Sequence, residues 1–122
     1  MNERTKGQVE AAFSQAIVQF EKEYFGRGPL DAKTDFVRDM ILVRLRGVLT
    51  LAEQKLAETT TGLTLVKETR SQLFESARPL LEEMVTGITG CRLISLHTDM
   101  STRTGERVIV LTVDADLEKQ YA

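Results

Sequence analysis

The sequence predicts an α+β domain: a three-stranded antiparallel or mixed sheet with an N-terminal helix, a short helix and a long kinked helix packed on one face, closed by a C-terminal β-hairpin. Three observations predict it. Apolar residues recur every three or four positions from Val9 to Tyr24 and again from Val66 to Ile88, which is helical spacing. Apolar and polar residues alternate with a period of two from Asp35 to Val48 and from Cys91 to Val113, which is strand spacing. Glycine marks the joints, at Gly26, Gly28, Gly62, Gly90 and Gly105.

The first helix starts at a capping box. The Thr5 hydroxyl and the Gln8 side chain are spaced to satisfy each other's backbone donors. Val9, Phe13, Ile17, Phe20 and Tyr24 form its apolar stripe, with Glu10, Gln15, Glu21 and Lys22 largely outside it. Gly26-Arg27-Gly28-Pro29 reads as the stop, since glycine accepts the left-handed helix end and proline blocks continuation. A Gly-Arg-Gly loop is also able to hold an anion through its amides and the Arg27 guanidinium. No Gly-Lys-Ser/Thr follows, however, and no strand precedes it as a phosphate loop requires.

One strand is expected across Asp35–Val48. Its core face is Val37, Ile41, Val43, Leu45 and Leu49, and its other face is Phe36, Arg38, Met40, Leu42, Arg44 and Arg46. That second face is either an exposed sheet surface on which arginine stems cover apolar area, or an anion or acidic-partner site built on Arg44 and Arg46. Thr50 and Glu53 form a second capping box, opening a short helix through Leu51 and Leu56. Thr59, Thr60, Thr61 and Gly62 read as a polar connector whose hydroxyls cap the next helix. That helix is expected from about Leu63 to Ile88, kinked near residues 75–78 by Pro79 and not split, with Lys67, Glu68, Arg70 and Glu75 on its polar side. After Gly90 the hairpin pairs Cys91–Asp99 with Glu106–Val113 through a polar, glycine-containing turn. Residues 114–122 lose the pattern and are expected to fray or to form a short helical tail.

The whole chain, 122 residues, fits one domain, with a core of about residues 5–114 and a tail beyond. Its 42% hydrophobic and 28% charged residues are ordinary for a globular protein. A formal net charge of −2 argues against general nucleic-acid binding, which needs a basic surface. The lone Cys91 makes no intrachain disulfide, and the polar start MNERTKGQVE lacks the apolar centre of a signal peptide. No apolar run approaches the ~20 residues of a membrane span. A cytoplasmic protein without direct membrane insertion is therefore expected. Small size and the half-apolar strand face predict a homodimer.

Chemistry-bearing constellations are sparse. His97 and Asp99 share a strand face, roughly 6.5–7 Å apart, with Ser95 on the same side. Such a pair is able to shuttle protons if a substrate lies within reach. The alternative is a half-buried histidine beside an aspartate that stabilises the turn. One His and one Cys fall short of a zinc site, and neither a calcium loop nor a dinucleotide fingerprint is present. The expectation is therefore no catalytic residue, no metal and no cofactor, with Arg27, Arg44, Arg46, Arg70, His97 and Asp99 as candidate ligand- or partner-binding residues.

Several of these motifs occur together in a recognisable set. Gly26-Arg27-Gly28-Pro29, the run Leu45 to Glu53, Gly62 with Leu65 to Arg70, Leu96-His97-Thr98-Asp99, Thr102, and Gly105-Glu106-Arg107-Val108 resemble the MpsC-like family of small bacterial proteins. The resemblance spans roughly Gly7 to Val113. The family is named for a proposed Na+-translocating, membrane-potential-generating system, of which it would be the third component, and it brings no established catalytic residues. The resemblance implies a non-enzymatic accessory or regulatory protein with a membrane ion-transport component as partner. The alternative is a small-anion or metabolite sensor using the strand arginines.

Overall fold

A computed structural model describes residues 4–101 and 103–122; Thr102, one of the residues carrying the resemblance, and residues 1–3 lie outside the described residues. Helix α1 (Lys6–Phe25) starts where its capping box places it. The Gln8 amide donates to the Thr5 hydroxyl at 3.2 Å, and the Thr5 amide donates to the Gln8 side chain at 3.0 Å. Gly26 closes the helix with φ 84°, and its amide donates to the Lys22 carbonyl.

The expected single strand is two. Strand β1 (Asp31–Val37) and strand β2 (Met40–Arg46) form a hairpin whose loop is Arg38-Asp39. Arg38 takes φ 56°, a conformation usually left to glycine in such turns. Distant groups hold it there: the Arg38 amide donates to Glu118, and its carbonyl accepts from the Leu117 amide at 2.7 Å. The turn also resets the alternation. Phe36 pairs with Ile41 and joins the core, whereas Val37 faces solvent. This reverses the predicted sides of both residues.

The long helix is also two. Helix α2 (Leu51–Leu56) opens at the Thr50/Glu53 capping box. Helix α3 (Thr60–Ser76) begins three residues earlier than the sequence suggests, capped by the Thr59 hydroxyl, and helix α4 (Arg78–Thr89) follows after Ala77 alone. The Ala77 amide still reaches back to the carbonyls of Leu73 and Phe74. Pro79 falls in the first turn of α4, where a missing N–H leaves no bond unmade, so proline starts a helix here instead of kinking one. Gly62 explains the tight α2–α3 junction: a Cβ at this position would lie 1.8 Å from the Leu56 carbonyl oxygen.

Strand β3 (Leu93–Met100) and strand β4 (Arg107–Val113) form the expected C-terminal hairpin, and helix α5 (Leu117–Gln120) makes the tail. The sheet has four strands in the order β1-β2-β4-β3, every pair antiparallel, where three strands were expected. Its inner face carries Phe36, Ile41, Val43, Leu45, Ile109 and Leu111, buried against Val9, Phe13 and Ile17 of α1, Phe74 of α3 and Leu81 and Val85 of α4. Leu117 and Tyr121 complete this core beside Phe36. The Phe36 amide donates to Glu10 of α1 at 2.7 Å, which satisfies part of the β1 edge.

Candidate functional site

Two charged regions stand out, one inside the domain and one on its open sheet face. The inner one joins four residues from four segments: Glu21 of α1, Glu53 of α2, Arg70 of α3 and Arg107 at the start of β4. Arg70 is 1% exposed and anchors the group. Its Nε and Nη2 donate to the two Glu53 carboxylate oxygens, both at 2.7 Å, the bidentate fork that guanidinium and carboxylate geometry favours. Nη2 also donates to the Val48 carbonyl at 2.8 Å. Glu21, also 1% exposed, lies 3.7 Å from Arg70 Nη1, beyond hydrogen-bond distance, and its Oε2 has no partner. The Arg107 Nη1 donates to the Thr98 hydroxyl at 2.9 Å.

Aromatic rings close the cluster. The Arg70 guanidinium lies 4.5 Å from the centroid of Phe25, and that of Arg107 lies 4.7 Å from Phe74. Cation–π attraction thus compensates part of the lost hydration of both guanidinium groups. Burial raises the Glu21 carboxyl above its ordinary value, against the pull of Arg107 and Arg70. Burial also acts to raise the Glu53 carboxyl, but hydrogen bonds from Arg70 and from the Thr50 amide outweigh it and hold that group low. Burial pushes Arg107 down to about 10. The two carboxyls of one cluster are therefore driven in opposite directions, because Glu53 has a fork of donors and Glu21 has none.

Of these four, sequence reading singled out only Arg70, and placed it on the polar side of its helix. Its true neighbours on the stripe are Val66 and Phe74, each four residues away and both buried. Glu21 stands four residues after Ile17 on the buried stripe of α1, and Arg107 alternates with Ile109 and Leu111 on the core face of β4. A charged residue in phase with an apolar stripe was the available signal.

The other candidates are dispersed. Arg27 staples the loop after α1 to the end of β2, donating to the carbonyls of Leu49 at 3.1 Å and Gly47 at 3.2 Å. Arg44 is exposed on the outer sheet face and donates to Glu106 at 2.7 Å. Arg46 is exposed at the end of β2, bordering a shallow depression with Asp31, Lys33 and Arg44. His97 and Asp99 are exposed on the outer face of β3, opposite Val110 and Val108. Asp99 accepts from the Met100 amide at 2.8 Å and pairs with Lys67 at 3.4 Å; these contacts, the amide first, lower its carboxyl. Ser95, the third polar residue of that face, is hydrogen-bonded to Thr112 on β4. The structure therefore brings together His97 with Asp99 and Arg44 with Arg46, but neither pair with Arg27 or with the buried Arg70. Among the described residues, no three His, Cys, Asp or Glu side chains are placed to hold a metal ion.

The outer sheet face around these residues is half apolar. Met40, Leu42, Val108 and Val110 lie along its two central strands, each partly exposed, and charged side chains flank them on the edge strands. No described helix is long and apolar enough to cross a membrane.

Comparison with known proteins finds similarity in sequence along nearly the whole chain. A protein of Bacillus subtilis (strain 168) described as uncharacterized protein YbcI is 47% identical over 116 residues, covering 95% of this chain and 94% of the relative. A second from the same organism, uncharacterized protein YrhF, is 29% identical over 109 residues, covering 88% and 89%. No solved structure matches the chain. The family described as Na+-translocating membrane potential-generating system (MpsC) matches residues 5–115, from the first capping box to the end of the hairpin, and the chain belongs to that family.

Proposed function

We propose that this protein is a non-enzymatic accessory or regulatory component of a Na+-translocating, membrane-potential-generating system, acting from the cytoplasm through a membrane ion-transport partner. The observation that carries this reading is the family match over residues 5–115. It is supported by the way the charged side chains are engaged. Arg70 and Glu53 are locked to each other, Arg27 to main-chain carbonyls and Arg44 to Glu106. These contacts build and join elements, as a scaffold for protein contacts requires. They also weigh against the alternative of a small-anion sensor on the arginines, since Arg27, Arg44 and Arg70 already have acceptors.

The test is a deletion in the source organism, read with a voltage-sensitive dye in high and low Na+, together with affinity purification of the tagged chain from cross-linked membranes. Loss of the Na+-dependent part of the potential, with recovery of an integral ion-transport protein, is expected. An unchanged Na+-dependent potential and no transport protein in the purified fraction would overturn the assignment.

A further inference from the structure

The outer face of the sheet is patterned in rows set by strand register. Across β1-β2-β4-β3, one row reads Lys33, Arg44, Val108, Asp99. The next reads Asp35, Leu42, Val110, His97, and the third reads Val37, Met40, Thr112, Ser95. The two central strands are mostly apolar, and the edges carry complementary partners: the Lys33 ammonium on β1 stands across from the Asp99 carboxylate on β3 in the first row, and the Asp35 carboxylate on β1 stands across from the His97 ring on β3 in the second.

We propose that this face docks on a second copy of the chain, about a twofold axis that runs along the strands between β2 and β4. Such an axis lays β1 over the second copy's β3 and β2 over its β4, while keeping each row opposite itself. Lys33 then meets Asp99 of the second copy, and Asp35 meets its His97, whose ring N–H donates to the carboxylate. Leu42 covers Val110 and Met40 covers Thr112, and in the first row the stem of Arg44, whose guanidinium is held by Glu106, lies over Val108. Every charged contact is repeated twice by the symmetry.

The other in-plane twofold axis, across the strands, is excluded by the same register. Centred on the middle row, it stacks Asp35 on Asp35 and His97 on His97. Slid by half a row one way, it sets Val37 against Asp31 and Met40 against Arg46; slid the other way, it sets the Asp35 carboxylate against Val37, so in either case apolar side chains are desolvated against charges. The axis along the strands pairs unlike polar partners at the edges and keeps Leu42 and Met40 off charged groups.

Size sets the strength. Four strands at ~4.8 Å and seven residues at ~3.3 Å give a face of about 19 by 23 Å, on the order of 400 Å² per copy. The roughly 800 Å² total is below the ~1,200–2,000 Å² of standard specific interfaces, so the association is weak and reversible. This association does not rest on the proposed role in Na+ translocation and is tested separately.

Sedimentation equilibrium of the full chain from about 2 to 300 µM is expected to show a monomer–dimer equilibrium. K33D sets carboxylate against Asp99 at both contacts, and D99K sets ammonium against Lys33; each is expected to weaken the dimer by about tenfold or more. An equal mixture of the two variants pairs unlike charges at every contact and is expected to dimerise again. Both sites are exposed, and circular dichroism of each variant checks that the fold is kept. A monomer at all concentrations overturns the proposal and leaves the face to a different partner. A dimer indifferent to K33D, or one that the mixture fails to restore, overturns it as well.

Discussion

At the scale of single residues, Glu21 is the group most exposed to electrostatic cost. Its carboxyl is buried with one oxygen unpaired and has two arginines near it, neither within hydrogen-bond distance. Burial raises its pKa above the ordinary 4.5. The folded chain therefore holds this proton at pH values where the unfolded chain has released it. The stability this provides is present below pH 4.5 and is lost as pH rises through the folded value. Glu53, Asp99 and Glu106 are shifted the other way, so their contributions are lost only in acid, below their ordinary values. The two windows do not overlap. Glu21→Gln removes the first one alone. Urea unfolding from about pH 4 to 8 should show the variant gaining stability relative to the parent as pH rises above 4.5, then levelling off. A difference that stays constant across that range would mean that the Glu21 carboxyl titrates alike in the folded and unfolded chains. Sequence reading placed Glu21 outside the apolar stripe, because a carboxylate among aromatic residues contradicts the usual preference for solvent. The stripe position alone could not reveal that two arginines from other helices and strands arrive beside it.

Elements show a sharper divide between what the chain states locally and what it does not. Both capping boxes were legible, since each needs only a hydroxyl and a Gln or Glu three residues on. The C-terminal hairpin was legible through alternation and Gly105. The Arg38-Asp39 turn was not, because Arg-Asp is not a turn signal and the groups holding it, Leu117 and Glu118, are about 80 residues away. The alternation resumed in the same phase on either side of Asp39, which read as an interruption of one strand face and not as a turn, so two strands read as one. The α3–α4 break was misread for a related reason: proline has the same local chemistry whether it kinks a helix or starts one. Gly62 tests how tightly elements are joined. Its missing side chain admits the Leu56 carbonyl, and a methyl group there would overlap backbone that has no rotamer to relax. Gly62→Ala should therefore destabilise the domain by about 2–3 kcal/mol despite alanine's better helix propensity, measured as a lower urea midpoint at unchanged slope. A neutral or stabilising result would show that α2 is free to move away from α3.

For the molecule as a whole, the sheet order explains what the helices alone cannot. Two hairpins, β1-β2 and β3-β4, meet through β2 and β4, so the most apolar strands of each lie side by side at the centre. Ile41, Val43, Ile109 and Leu111 are fully buried there, whereas each edge strand has one side without a strand partner. No local pattern encodes this order, since alternation identifies strands and not their neighbours. The consequence is a gradient of stability across the sheet. Strands β2 and β4 each have a hydrogen-bonded neighbour on both sides, beneath α1, α3 and α4, so their amides open only when the domain unfolds. Amides on the outer side of β3 open by fraying of one edge. Hydrogen exchange should accordingly be slowest in β2 and β4, approaching the global unfolding free energy, and faster along the free side of β3. On β1 the gradient is interrupted at Phe36, whose amide donates to Glu10 of α1, so this amide should exchange more slowly than its neighbours on that edge. Equal protection of β3 and β4 would contradict the strand order. Rapid exchange at Phe36 would show that α1 does not seal the β1 edge in solution.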